Sequence, residues 1–544
     1  MRSTASARNP CTESLTGIAI LPIILKGRGF GKIVSLQTLE RSLIDHPAAL
    51  LRVIADLRGV VLSAREQPSL AAELADALAD PATIAAGLAD LSAGALEALA
   101  ALAAQEGRLP ASQFQRQFGE IRPFGPGRLA REQPWQAVTG PAEELWYRGW
   151  IFRGFARLDG IPTEFIYVPP EILGLLPRPT ASPFADAVAP APTNFTDPQD
   201  ALAVDATTLL AHIQTVGLRR ERVGWASADL QQLNRQLLCP DPTPTPPAAS
   251  GRLALLLHFL TKLGWSASGP RGEQRLNAPT VRQWLQLERA RQWQTLWTAW
   301  LEDETWDDLR LLPELVCEGG WRNDPPGTRR RLLTWLGQAE AGRWHTTAGW
   351  IAALKMTAPD FLRPTGDYDS WYIRYNGLET YLRGFAHWDD IEGRLARYLI
   401  TGPLHWLGVI ALDASGERMT LTTAGRSLLR GEAPPQPKPA DLAVRPDFAI
   451  LVPTTAPSFD RFRVARFAAW ESSPPVGSDE PFRYRITRRS LQRAEAQGLT
   501  AERALAFLHE RVGDRLPANV ARALARWSQR DRSTPIRSPR EHSL

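Results

Sequence analysis

Three proline-rich stretches limit what this chain can fold into. They are "PRPTASPFADAVAPAPTNFTDP" (177–198), "CPDPTPTPPAASG" (239–251) and "EAPPQPKPAD" (432–441). Proline fixes φ and has no backbone N–H, so neither a helix interior nor a central strand runs through such segments. A chain of 544 residues also exceeds one ordinary core. At roughly 100–200 residues per domain it reads as three to five units. The expected division starts with a disordered or mis-started N-terminus (1–32), a helical region (33–95) and a compact unit (96–180). A Pro/Ala linker (181–205) leads to a Trp-rich helical region (206–390) that carries the 239–251 insert. A second small unit (391–431), a linker (432–441), a C-terminal domain (442–530) and a disordered tail (531–544) follow.

Hydrophobic spacing fills these divisions mostly with helices. Residues 96–180 read as three helices, "LEALAALAAQEGRLP", "SQFQRQFG" and "PAEELWYRGW", and then as two strands around "DGIP". That is the order of a winged helix. Residues 391–431 read as helix, helix and hairpin, "IEGRLARYLI", "GPLHWLGVI" and "ALDASGERMTLT", a second winged-helix-like segment. Between Trp265 and Trp406 lie 13 of the 19 tryptophans. Trp293, Trp297 and Trp300 form one helical stripe, the pattern of a packed core rather than a stacking site. Residues 442–530 read as strands, an amphipathic helix, a further strand and three short helices. The expected fold is thus predominantly α with small β hairpins. It is multidomain, with winged-helix-like units and a C-terminal α+β domain.

Catalytic patterns are absent. "GRGFGKI" (27–33) lacks the first Gly and the hydroxyl of a phosphate loop. The eight histidines do not pair with one another or with cysteine at metal-ligand spacing. No G-x-S-x-G occurs. We expect no enzyme, no cofactor and no metal. Cys11, Cys239 and Cys317 lie far apart and suggest neither a disulfide framework nor a metal site, which suits a reducing, cytoplasmic setting. The best apolar run, 18–27, is too short for a membrane span and contains Pro22. The net charge of +5 permits an anionic partner without requiring one.

Arginine placement points further. In "FRYRITRRSLQRAEAQGLT", Arg483, Arg485, Arg488, Arg489 and Arg493 lie within eleven residues. Arg488 and Arg489 fall in the first turn of a helix, where the dipole disfavours cations by about 0.3–1 kcal/mol. Local stability therefore does not explain them, whereas phosphate oxygens would. Arg522, Arg526 and Arg530 repeat along the last helix, opposite Val520, Leu524 and Trp527. The competing reading is a solvated, Arg-rich face. The apolar "GPLHWLGVI" is unsuited to base edges and is expected to pack inside. Arg394, Arg397 and Arg426 beside it remain candidates for phosphate contact.

The C-terminal domain resembles the helicase-associated N-terminal domain of XPB-type DNA repair and transcription helicases. The pattern V-Q-P-D-F-x-I-x-V appears as 444–452, with Arg445 in place of Gln. Y-R-[IL]-T-x-x-S-L-x-x-A appears as 484–494, followed by Gly498 and by L-P-x-x-V at 516–520. The upstream "RYLITGPLHWLGVIAL" and "LTTAGRSLL" resemble the winged-helix segment that precedes this domain in bacterial proteins of the group. The resemblance implies association with DNA, but no Walker A and no helicase motif occurs, so no motor is expected. The reading is a non-catalytic DNA-binding or helicase-accessory protein that contacts mainly phosphates. Arg483, Arg485, Arg488, Arg489, Arg493, Arg522 and Arg526 are its candidate contacts. A separate helicase or nuclease is a possible partner, and no membrane is involved. The alternative is a scaffold that docks a separate helicase, nuclease or transcription factor.

Overall fold

The computed structural model describes residues 36–158, 161–177, 184–222, 224–242, 251–268 and 274–532. The expectations for 1–32, and for most of 239–251 and 531–544, lie outside them. The described chain is mostly helical, with five small antiparallel sheets. It builds two hydrophobic cores, one spanning residues 39–176 and one spanning 184–524.

In the first core, the helices Leu39–Ile44, Ala48–Leu57 and Gln67–Leu78 bury their leucines in one interior with apolar side chains of Ala93–Ala104, Ala111–Phe118 and Pro141–Tyr147. Arg58 lies 4.1 Å over the Trp150 ring and donates to the carbonyls of Thr83 and Arg148. Ser42 Oγ meets Tyr167 OH at 2.8 Å. The expected separation of 33–95 from 96–180 is therefore corrected. The apolar faces of the early helices find their partners in the following segment, so the two share one interior. Strand Arg108–Pro110 pairs with Ile161–Tyr167, which pairs with Phe152–Leu158. The sheet order is first, third, second.

The second core overturns the linker expected at 181–205. Phe184 is buried against Trp335 and Trp350. Phe195–Thr196 adds a strand to Ile410–Asp413. The helix Ala201–Thr215 begins inside the supposed linker and is buried through most of its length. From Ala201 to Ile213 it is buried on every side, with Asp205, Thr207, Thr208 and His212 included, the position of a central helix rather than of an amphipathic surface one. Prolines before it end in an ordered strap and not in a tether. Trp293, Trp297 and Trp300 are all buried, as their spacing implies.

The unit expected at 391–431 starts much earlier. Its sheet takes a third strand from Trp344–Thr346, and the helices Pro325–Leu336 and Thr347–Thr357 precede the hairpin Ile410–Asp413/Arg418–Leu421. A helical stretch from Asp389 to Leu404 contains two wide-turn segments, Asp389–Gly393 and Ile400–Leu404. Gly402 and Pro403 interrupt its ladder, the usual cause of such a distortion. The expectation that "GPLHWLGVI" packs inside holds for Pro403, Leu404 and Leu407.

The C-terminal domain has the sheet order Ala443–Val444, Ala449–Val452, Phe482–Arg485, Ala469–Ser472. The helix Ser458–Phe467 packs on Ala201–Thr215 and buries Arg461, which donates to Val204 O and, at 3.1 Å, to Thr208 Oγ1. Ser458 Oγ donates to Gln292 Oε1 at 2.8 Å. The free linker expected at 432–441 is corrected too: Pro434 is buried and Gln436 Oε1 accepts from Ala290 N at 2.8 Å.

Candidate nucleic-acid interface

Residues 442–532 carry 16 arginines, no lysine and 10 acids, a net charge of +6. Their arrangement centres on the turn Arg445–Phe448. Phe448 N donates to Arg445 O at 3.0 Å, and Arg445 N to Ala449 O at 2.8 Å. Phe448 O then accepts from Ile486 N at 3.0 Å, which ties the turn to the start of the helix Arg488–Ala496. On the other side, Asn519 Nδ2 donates to Pro446 O at 2.7 Å, which lays the helix Ala518–Arg532 along the turn. The rings of Phe448 and Trp527 meet at 5.9 Å and 35°.

The sequence-derived arginines separate into three groups. Arg483 and Arg485 sit on a strand and face carboxylates. Glu471 Oε2 accepts from Arg483 Nε at 2.7 Å, and Glu471 Oε1 pairs with Arg485 Nε. Asp447 Oδ2 stands 3.3 Å from Arg483 and 3.6 Å from Arg485. The hydrogen bond from Arg485, and then that from Arg483, hold the Glu471 carboxyl below its ordinary range. These two arginines thus neutralise Asp447, the one acid on the turn.

Arg493 is turned inward. It donates to Ala465 O and Ala468 O at 3.4 and 3.2 Å, where a cation suits the end of the helix Ser458–Phe467. Burial lowers its pKa. Arg493, expected as a phosphate contact, is thus engaged within the fold.

Arg488, Arg489, Arg522 and Arg526 are exposed and have no carboxylate partner among the described residues. Arg522 and Arg526 only touch carbonyls of their own helix, Ala518 O at 3.2 Å and Arg522 O at 3.4 Å. Thr487 and Ser490 form a reciprocal cap at 3.0 Å in each direction, so the helix start is set without help from the two arginines that follow it. Arg445 belongs with these four: it is exposed, carries no carboxylate partner among the described residues and lies on the turn itself. It is not among the candidate contacts that the sequence suggests.

The other candidates are engaged elsewhere. Arg397 pairs with Glu417 at 3.1 Å, Arg394 lies 3.9 Å from Glu314, and Arg426 donates to Ala339 O at 2.6 Å. On the helix Pro141–Tyr147, Glu143 is buried and accepts from Arg122 Nε at 2.6 Å and Thr139 Oγ1 at 3.0 Å. Glu144 accepts from Ser92 Oγ at 2.5 Å. Among the described residues no cluster of His, Cys, Asp and Glu is arranged to hold a metal ion, and no helix is long and apolar enough to cross a membrane. No family model matches the chain, and no curated protein matches it.

Proposed function

We propose that the protein is a non-catalytic nucleic-acid-binding protein, an accessory to a separate motor or nuclease, that grips the phosphate backbone through its C-terminal domain. The observation that carries this reading is the set of five arginines without carboxylate partners among the described residues, Arg445, Arg488, Arg489, Arg522 and Arg526, on one turn and the two helices bonded to it in a domain with net charge +6. Guanidinium groups suit phosphate because they offer forked donors and stay charged. The resemblance of 442–530 to the XPB-type accessory domain supports the same reading.

Setting aside the helix Pro126–Glu132 in the first and the strand Tyr372–Tyr375 in the second, residues 93–167 and 325–421 each run helix, strand, helix, helix and two-stranded hairpin; their own strands lie in the order first, third, second, and Phe195–Thr196 adds an edge strand to the second sheet. We take both as winged-helix units used for packing. In a reader the third helix presents polar and cationic groups to the groove. Here the first unit's third helix offers Glu143 and Glu144, both already bonded, and the second unit's is largely buried. Contact with nucleic acid therefore falls to the C-terminal arginines.

The test is a fluorescence-anisotropy titration of a labelled oligonucleotide at several salt concentrations between 50 and 200 mM. Five phosphate contacts give a log–log slope of about −4.5 on duplex and about −3.5 on a single strand. Arg488→Glu/Arg489→Glu should flatten it by at least about 1.4 and weaken binding at every salt concentration. No binding at the lowest salt, or an affinity indifferent to salt, overturns the proposal.

A further inference from the structure

Phosphate recognition alone has no use for the two rings at the centre of this patch. Phe448 and Trp527 are both only partly buried, and each rests one side on the core. Phe448 holds φ at +69°, a left-handed conformation that L side chains rarely adopt. Glycine or asparagine would relieve that strain. Yet the turn carries a phenylalanine, and the strained backbone directs its ring to Trp527. Strain at such a position is a pointer to function. Arg445 lies on the turn that carries Phe448, Arg522 and Arg526 on the helix that carries Trp527, and Arg488 and Arg489 at the start of the helix tied to that turn, whose one acid, Asp447, is offset by Arg483 and Arg485.

Resting on the reading above, we infer that this patch takes single-stranded nucleic acid, with an unpaired base seated against the Phe448–Trp527 pair and the flanking phosphates on Arg445, Arg488, Arg489, Arg522 and Arg526. Aromatic rings set among cations are the recurring means of holding unpaired bases, since every base offers a π face whatever its sequence. In duplex the base faces are stacked inside the helix and out of reach, so the rings would add nothing. The asparagine–carbonyl bond from Asn519 to Pro446 keeps the tryptophan's helix against the turn, so the platform is set before the strand arrives.

The experiment compares 15-nucleotide oligo-dT and oligo-U with a blunt duplex hairpin of equal phosphate number, using the full chain. The proteins are wild type, Trp527→Leu, Trp527→Phe and Arg488→Glu/Arg489→Glu. We expect the single strands to bind at least about tenfold tighter than the duplex at equal salt. Trp527→Leu should lose about 5- to 150-fold on single strands, the range for one stacked base, with the salt slope unchanged. Trp527→Phe should keep most of the affinity. A single strand with 2-aminopurine at its centre gives a readout on the wild-type protein, independent of whether the leucine variant folds: its emission should change on binding. Equal or tighter duplex binding, with no 2-aminopurine response, overturns the single-strand inference and leaves the phosphate-binding reading standing. Failure of all three oligonucleotides to bind at 50 mM salt overturns both.

Discussion

Glu471 is the most informative residue to change, because the proposed interface predicts a gain when it is neutralised. Its carboxylate meets Arg483 Nε at 2.7 Å and pairs with Arg485 Nε, while Asp447 serves the same two guanidinium groups from 3.3 and 3.6 Å. Two cations and two anions cancel at present. Glu471→Gln leaves two arginines sharing Asp447, a surplus of one positive charge beside the turn that carries Arg445. If the nucleic acid passes over this turn, one more phosphate is neutralised. The log–log salt slope then steepens by about 0.7 for a single strand or about 0.9 for duplex. Extrapolated from a common value near 1 M, that slope makes binding about five- to eightfold tighter at 0.1 M. Exposed ion pairs hold little of a fold's stability, so the variant should remain folded. The assay is anisotropy at four salt concentrations, wild type beside Glu471→Gln. A gain at 0.1 M that vanishes towards 1 M fits the geometry. An unchanged slope and affinity would refute the idea that Arg483, Arg485 and the turn border the strand's path.

Three other outcomes follow from the packing. His46 is buried against the rings of Trp146 and Phe152, and burial lowers its pKa to about 4. A base whose folded pKa lies below its unfolded value near 6.5 gives stability that is complete above pH 6.5 and lost as pH falls towards 4. The full effect is about 3 kcal/mol, and urea unfolding of wild type against His46→Phe between pH 7 and 4 measures it. Gly408 has φ +72°, and a Cβ there would sit 2.2 Å from Gln199 O and 2.6 Å from the Trp293 ring. Gly408→Ala should cost about 3 kcal/mol or more, visible as a lower Tm or as lost soluble protein. Arg116 reaches from the helix Ala111–Phe118 to Asp360 Oδ1 at 2.6 Å, and Arg116→Ala leaves a buried carboxylate short of its partner. A loss of about 2–3 kcal/mol is expected at this junction, read as faster limited proteolysis between residues 177 and 201.

What the sequence made legible was local. The helix start at Arg488 and the Trp293–Trp297–Trp300 stripe both depend on neighbours within one or two helical turns. What it hid was decided across the fold. Glu471 lies 12 residues from Arg483 in sequence but on the adjacent strand, so the neutralisation of Arg483 and Arg485, two of the five arginines in the run, was invisible. Arg493 belongs to the same arginine run in sequence, yet the carbonyls it covers belong to the end of another helix. Arg461 sits in an apparently amphipathic helix but is buried because a second helix lies over it and supplies Val204 O. The prolines of 177–198 suggest a flexible tether, whereas Phe184 and Phe195 among them are side chains with fixed partners.

Charge adds a constraint on how such a protein would approach a polyanion. Residues 36–177 hold 17 acids and 12 arginines, net −5, against the net +6 of residues 442–532. Screening at physiological salt confines each field to roughly 8 Å from its surface. The two ends therefore act separately: the C-terminal arginines attract phosphate, while the N-terminal unit repels any strand that comes within that distance. On the proposed reading, a nucleic acid bound at the Arg445–Phe448 turn leaves the acidic unit as the face presented to something else. A face of that charge fits a protein surface with a positive patch, as a motor or nuclease that itself grips nucleic acid must possess. The accessory and docking readings then describe opposite ends of one chain. Reversing Arg488 and Arg489 should weaken the first function while leaving any docking by residues 36–177 intact.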